Sequence, residues 1–279
     1  MRIGLAYANS VAADDPGEYA TRAEALGFES LWTIEHVVVP AGYRSPYPYS
    51  RSGRMAGGRE DFSSPDPLVW LAFAAAATSR IRLATGVIIL PQRNPLVLAK
   101  EVATLDHLSG GRVILGVGVG WLEEEFRAIG VPFTGRGARA DEYVAAMRAL
   151  WTEERASYSG RFVEFDEVYL RPQPVQRPVP IVVGGHSPRA ARRAGELGDG
   201  FFPAGTDLEA LPGLVATARE WAERAGRDPA ALEVTMGAAP SPDAVERLAA
   251  AGVDRVAVPA PPGVEGLEVV AGALGPLLG

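Results

Sequence analysis

The chain has 279 residues, no cysteine and a net charge of −7 from 27 basic and 34 acidic residues. The length fits two ordinary domains or one α/β barrel, since such barrels run to about 250 residues. The lack of cysteine excludes disulfides, thiolate metal ligands and a cysteine nucleophile, and charge spread without a basic run argues against a nucleic-acid partner. No apolar run approaches the ~20 residues of a membrane span, and the polar-flanked start predicts a strand rather than a signal peptide, so we expect a cytoplasmic protein without a membrane partner.

Short apolar runs alternate with amphipathic segments through the first half of the chain. Most of the predicted helices there begin with a capping side chain and a proline, a pairing that suits the first helical turn. Glycines follow two of them as helix stops. The predicted elements are strands over residues 2–8, 30–34, 81–88 and 113–117, and helices from residues 15, 66, 94, 121 and 141.

A polar stretch then interrupts the alternation at about 152–179. A hairpin turn is predicted at 158–162, and the prolines that follow exclude a helix. Strands over 180–183, 200–203, 232–237 and 255–258 come next, each followed by a helix. Eight strand–helix units predict a (β/α)8 TIM barrel, with an insertion before strand five, in a single domain over 1–279. A Rossmann-type open sheet is the alternative.

The fifth predicted strand runs into two glycines, Gly184 and Gly185, followed by His186 and Ser187. Residues without side chains let a phosphate approach the backbone, and Ser187 is a suitable N-cap for a helix that starts with proline. The pattern therefore predicts an anion site made of backbone amides at a helix start. A plain left-handed glycine turn explains the same glycines about as well.

The ends of the other strands carry further candidates, because the carboxyl ends of barrel strands form the active face. Glu35 and His36 follow strand two, and His36 and His186 fall on that face, whereas His107 lies near a helix end, where a structural role is expected. No histidine spacing typical of a metal site occurs, so none is predicted. The acids at 123–125 begin a helix, and a favourable interaction with its dipole explains two of the three.

The glycine-rich run after strand four has two interpretations. Gly118 lies in it, but Trp121 stands where a dinucleotide fingerprint needs its third glycine. Close strand packing at a barrel bend explains the glycines equally well.

A long loop at 40–64, here called the lid loop, follows strand two over the expected site. It contains three tyrosines and four arginines. We expect a lid that contacts an anionic ligand, with a solvated excursion as the alternative. Because a glycine- and proline-rich loop of this length is not expected to pack fully on its own, we expect a ligand to order it. The residues are Tyr43, Tyr47, Tyr49, Arg44, Arg51, Arg54 and Arg59.

Several stretches, in their order and spacing, resemble the luciferase-like monooxygenase family. They are residues 83–95, 104–112, 116–121, 183–188 and 198–201. Asp141-Glu142-Tyr143 and the tyrosine-rich lid loop resemble the branch of probable deazaflavin (coenzyme F420) dependent oxidoreductases. The resemblance implies a TIM barrel that binds F420, or alternatively FMN, at its C-terminal mouth.

The resemblance also implies roles for individual residues. His36, next to Glu35, matches a histidine near the reactive ring that is assigned proton transfer. Gly86 and Val87 match a bulge on strand three, commonly a non-proline cis peptide, on which the ring packs. The loop 184–187 matches the one whose amides hold the cofactor phosphate, and Gly118 is a further candidate contact.

The family's glucose-6-phosphate dehydrogenases carry two catalytic glutamates, whose nearest positions here hold Ser10 and Trp121. This sugar phosphate is therefore not the expected substrate. We predict an F420-dependent oxidoreductase that transfers a hydride between the deazaflavin and an unidentified small organic substrate, with His36 as the catalytic residue. An FMN-dependent monooxygenase of the same fold and a non-catalytic flavin- or deazaflavin-binding protein are the alternatives. Because family members are often dimers, the resemblance also implies a homodimer.

Overall fold

Eight parallel strand positions close into a barrel in the structure, a computed structural model that describes residues 1–11, 15–55 and 58–278. The strands are β1 (Arg2–Ala6), β2 (Ser30–Thr33), β3 (Arg82–Thr85) continued by β4 (Ile88–Ile89), β5 (Val113–Gly118), β8 (Ile181–Gly184), β9 (Gly200–Phe202), β10 (Glu233–Gly237) and β11 (Arg255–Pro259). Pairing runs from each position to the next, β1 pairs with β11, and β3 and β4 both pair with β5, so the ring has no free edge. This closure confirms the predicted TIM barrel and excludes the open sheet.

Helices surround this barrel, and those with a capping side chain before a proline start where the sequence predicts. The helix predicted from residue 141 starts earlier, at Arg136 after the left-handed Gly135, and the one predicted from residue 121 starts at Glu123; neither has a side-chain cap. The Asp66 carboxylate accepts the Leu68 and Val69 amides, and the Asn94 side chain caps the next helix in the same way. Among the described residues, no helix has the length and apolar character that would let it cross a membrane. The helices are α1 (Ala8–Val11), α2 (Pro16–Ala25), α3 (Pro67–Ala77), α4 (Pro95–Ser109), α5 (Glu123–Ala128), α6 (Arg136–Thr152), α7 (Pro188–Leu197), α8 (Leu211–Arg224), α9 (Pro242–Ala250) and α10 (Gly263–Leu274).

The predicted insertion before the fifth barrel strand contains an antiparallel hairpin. It is formed by β6 (Ala156–Ser159) and β7 (Glu164–Val168), with its turn where the sequence predicts one. The Glu142 carboxylate on α6 accepts the amides of Phe162 and Val163, at 2.7 and 2.8 Å. The hairpin is therefore fastened to the outside of the barrel.

Two predicted strand ends are wrong. The first strand ends at Ala6 rather than near Ala8, because Tyr7 adopts a left-handed conformation with φ of 62° and α1 begins directly after it. The third strand divides into β3 and β4, because Gly86 and Val87, which are joined by a cis peptide, have no register partner on β2 or β5. The cis peptide itself agrees with what the family resemblance implies.

Apolar side chains fill the interior of the barrel. The rings of Trp32 and Phe202 meet edge to face, with centroids 5.5 Å apart, among buried small and branched residues of the other strands. A filled interior is usual for this architecture and leaves the loops at the C-terminal mouth as the place for a ligand.

Candidate active site at the barrel mouth

His36 follows β2 at the mouth and is held by a carboxylate from α5. Its Nδ1 lies 3.0 Å from Oε2 of Glu125, while Oε1 of Glu125 accepts the Val37 amide at 2.6 Å and the Val38 amide at 3.4 Å. The Glu125 side chain is fully buried, and that of His36 is 11% exposed. The arrangement gives the mouth an oriented imidazole that can hold or release a proton.

Glu35 points away from this arrangement and into a separate ion pair. Its carboxylate accepts the Ile89 amide at 2.6 Å and binds the Arg93 guanidinium, which also reaches Asp66 at the start of α3. Burial raises the pKa of Glu35, and the Arg93 guanidinium and the Ile89 amide act against that rise. These contacts connect the end of β2 to β4 and occupy the Glu35 carboxylate with protein partners. The cofactor contact of Glu35 stays a prediction.

Packing against Val87 requires glycine at Gly118 and Gly184, two positions that were predicted as cofactor contacts. A Cβ added to Gly118 would lie 2.7 Å from Cγ2 of Val87, and one added to Gly184 would lie 2.8 Å from Cγ1. Both distances are too short for real side chains. The branched side chain of Val87, directly after Gly86, therefore lies in a cradle that only glycine at these two strand ends leaves open.

The loop after β8 offers fewer free amides than the sequence predicts. Gly185 has a φ of +123°, and its amide donates to the Phe202 carbonyl at 3.1 Å, so this glycine serves the backbone path and its N–H is not open to a phosphate. Ser187 is the predicted N-cap and accepts the Ala190 amide at 3.2 Å. Within the part of the chain that is described, the amides of His186, Ser187 and Arg189 donate to no protein acceptor. An anion would be met by these three groups.

Aromatic rings connect the two histidines across the mouth. Each contact along the row is edge to face, and it runs from His36 through Trp121, Tyr47 and Tyr49 to His186, with centroids 6.0, 5.1, 5.3 and 5.0 Å apart. Burial raises the pKa of Tyr47, so this phenol stays neutral. His36 and His186 therefore lie at the two ends of one row of aromatic rings, on the same face of the barrel, as predicted.

The described part of the lid loop forms a small apolar cluster with the start of α5. Tyr43 and Met55 are buried against Leu122 at the start of α5, and the Met55 amide donates to the Tyr43 hydroxyl at 3.1 Å. These contacts anchor part of the loop, and the expectation that a ligand orders the rest stays a prediction.

Two of the four lid arginines are engaged by acids within the loop. Arg54 pairs with Glu60 at 3.2 Å and also donates to a backbone carbonyl, and Arg59 pairs with Asp61 at 3.2 Å. Arg44 and Arg51 are the lid arginines whose guanidinium groups make no ion pair among the described residues.

Unpartnered polar atoms lie in the loops around the mouth. The side-chain amide of Gln92 and the hydroxyl groups of Ser10 and Thr206 are shielded from solvent and have no hydrogen-bond partner among the described residues. They follow β4, β1 and β9. Buried polar groups normally have partners, so a polar ligand fits this end of the barrel.

Glu125 is the site residue that sequence reasoning did not single out. It belongs to the run of acids at 123–125, and the sequence analysis explains two of these three acids by their interaction with the helix dipole. Its neighbour Glu124 is engaged as well, since it accepts the Arg44 and Ser45 amides of the lid loop at 2.7 and 3.2 Å. The sequence does carry one signal for Glu125. Consecutive residues of a helix point to different sides, so three acids in a row cannot all have the same partner.

Curated relatives cover most of the chain. An uncharacterised protein of Mycobacterium tuberculosis is 37% identical over 257 residues, 92% of this chain and 90% of the relative. The F420-dependent glucose-6-phosphate dehydrogenase of Kineococcus radiotolerans is 34% identical over 246 residues, 84% of this chain and 66% of the relative. The FMNH2-dependent dimethylsulfone monooxygenase of Pseudomonas putida is 36% identical over 144 residues, 50% and 39% of the two chains.

A solved structure has the same fold. An F420-dependent secondary alcohol dehydrogenase, in complex with an F420–acetone adduct, superposes with a TM-score of 0.79 at 22% identity and covers 98% of this chain and 97% of its own. The model of the luciferase-like monooxygenase family matches residues 2–263. With this match and the relatives above, the chain belongs to the luciferase-like monooxygenase family.

Proposed function

We propose that this chain is an F420-dependent oxidoreductase that transfers a hydride between the deazaflavin and a small organic substrate. The observation that carries the proposal is the His36 imidazole, which the buried Glu125 holds at the mouth. F420, when bound, supplies the hydride chemistry. His36 supplies or takes up the accompanying proton, a contribution of about a hundredfold or more to turnover in other enzymes.

The residues at the mouth fit such a cofactor. The three open amides of residues 186, 187 and 189 lie at the start of α7 and suit a phosphate. Val87, in its glycine cradle, offers an apolar surface for a flat ring system, and Gln92 has an unpartnered amide for polar atoms. The aromatic row around Trp121 restricts the access of water to His36.

The F420 relative supports this cofactor, because its match extends over 84% of the chain. The FMN-dependent relative matches half of the chain, and an FMN-dependent monooxygenase is therefore the second candidate. Both cofactors carry a ring system and a phosphate, so the fit described above suits either. F420 has in addition an anionic tail, for which Arg44 and Arg51 are the available lid cations.

Parallel titrations with F420 and FMN test the choice of cofactor. We expect F420 to bind more tightly than FMN, and its Kd to rise more steeply with salt, because exposed charge pairs are screened over about 10 Å at 0.1 M. Replacing both Arg44 and Arg51 with Ala should reduce this salt dependence, whereas Arg59→Ala should not, since Arg59 is already paired with Asp61. Tighter binding of FMN would overturn the F420 assignment.

Kinetics of a His36→Ala variant test the catalytic role. We expect the rate of F420 turnover, with the best substrate from a broad panel of small organic compounds, to fall by about a hundredfold while the Kd for F420 changes only a few-fold. An equal loss of binding and rate would assign His36 to cofactor anchoring. Binding of F420 without turnover of any panel compound would favour the non-catalytic alternative.

A further inference from the structure

We propose that Glu125 is a positioning residue that keeps a proton on Nδ1 of His36 and leaves Nε2 as the atom that exchanges protons with the substrate. The catalytic consequence rests on the function proposed above. The position of the proton itself is a property of the protein and can be measured without a cofactor.

The donors around Glu125 determine which atom of the pair carries the hydrogen. Oε1 already accepts the Val37 amide at 2.6 Å and the Val38 amide at 3.4 Å, and Oε2 lies 3.0 Å from Nδ1 of His36. An ionised carboxylate has acceptors only. Nδ1 must therefore donate its hydrogen to Oε2, whether the ring is neutral or an imidazolium.

The burial of Glu125 disfavours any other position of the hydrogen. The Glu125 side chain has no exposed surface, so water cannot replace a donor that is lost. A buried carboxylate that loses a donor is destabilised, and a neutral ring with its hydrogen on Nε2 would turn a lone pair of Nδ1 toward the carboxylate. The ring can thus gain and lose its exchangeable proton only at Nε2.

Two aromatic rings hold the imidazole in this orientation. Phe62 of the lid loop and Trp121 meet it edge to face, with centroids 6.1 and 6.0 Å away. Nε2 makes no hydrogen bond to any described residue, and the side chain keeps 11% of its surface exposed. Glu125 therefore acts on the reaction through His36, by fixing which nitrogen is available.

A Glu125→Gln variant separates positioning from a purely structural role. The Gln carbonyl would still accept the Val37 amide, and its NH2 group would then donate to Nδ1, which moves the hydrogen of the neutral ring to Nε2. Glu123→Gln is the matched control, because that carboxylate is exposed on the same helix and its one ion pair among the described residues is with Arg127, at 3.8 Å.

Nitrogen-15 NMR of histidine-labelled protein reads the tautomer directly, since the chain has three histidines and His36→Asn identifies the relevant signals. In the neutral state we expect Nδ1 of His36 to be protonated in the wild type and in Glu123→Gln, and Nε2 to be protonated in Glu125→Gln. A wild type with its hydrogen on Nε2 would overturn the proposal, and this result stands even where Glu125→Gln does not fold. Unchanged His36 signals in a folded Glu125→Gln protein would overturn it as well.

The catalytic consequence is read from kinetics. Glu125→Gln should lower kcat for the F420-linked reaction about a hundredfold, with KM for F420 changed only a few-fold. The variant should still bind F420, but the neutral ring of His36 would carry its hydrogen on Nε2 instead of Nδ1. An unchanged kcat would overturn the positioning role. A wild type without any F420 turnover would instead remove the proposed function, and the tautomer measurement would still decide the role of Glu125.

Discussion

Val87 shows how one side chain determines the residue type at two distant positions. Its two methyl groups lie where Gly118 and Gly184 would otherwise carry a Cβ, on β5 and β8. A glycine at a strand end is easily assigned to ligand approach, yet here the packing of the protein on itself is sufficient to require it. Gly185 is similar, because its positive φ favours glycine without any ligand.

We predict that Gly118→Ala destabilises the protein through Val87. The new methyl group would lie 2.7 Å from Cγ2, and forcing such a contact into a packed region costs about 1–3 kcal/mol. Urea unfolding of Gly118→Ala, Val87→Ala and the double variant measures the coupling between them. Removing the Val87 methyl groups should recover part of the loss, whereas strictly additive effects would show that Val87 is not the cause.

At the level of elements, α5 fastens the lid loop to the barrel. Consecutive acids on this short helix accept backbone amides from two segments, Glu124 from residues 44–45 of the lid loop and Glu125 from residues 37–38 just before it. The lid core of Tyr43, Met55 and Leu122 lies beside them. Carboxylates and apolar packing together hold the loop over the mouth.

We predict an acid-sensitive contribution of Glu124 to stability. The Ser45 hydroxyl, with the Arg44 and Ser45 amides, lowers the pKa of this carboxyl from its ordinary 4.5 to about 2. A pKa that is lowered on folding stabilises the protein above the unfolded value, and this contribution disappears as pH falls from about 4.5 to about 2. The difference in Tm between the wild type and Glu124→Gln should therefore be largest near neutral pH and shrink toward about pH 2.

Glu123→Gln provides the comparison for this experiment, because the Glu123 carboxylate pairs with Arg127 on its own helix and accepts no amide from the described residues of the lid loop. Its Tm difference from the wild type should not follow the same curve. A Glu124→Gln difference that stays constant over the acid range would contradict the assigned contacts.

Features caused by contacts between residues close in sequence could be predicted, and features caused by contacts between distant residues could not. Asp66 and Asn94 signal helix starts because each side chain caps amides two and three residues away. The His36–Glu125 pair joins residues 89 positions apart, and no local rule connects them. The free amides near Ser187 follow from a local pattern, but the use of the Gly185 amide by Phe202 depends on the neighbouring strand.

At the scale of the whole molecule, the barrel leaves one helix with an apolar outer face. The eleven residues of α3 include no charged side chain. Val69 and Phe73 on this helix are 58% and 64% exposed, and Val97 on the neighbouring α4 is 55% exposed. Large exposed apolar side chains on neighbouring helices are a feature of contacts between subunits.

The predicted homodimer would use this face of α3, since a twofold contact brings the same surface of both copies together. We expect two chains per particle for the wild type in sedimentation at micromolar concentration, and one chain for Phe73→Glu, because a carboxylate without a partner is costly to bury. Val269→Glu is the control, since Val269 is 73% exposed on α10 and should tolerate the charge without dissociation. A monomeric wild type would reject the dimer, and a Phe73→Glu protein that remains dimeric would place the contact on another surface.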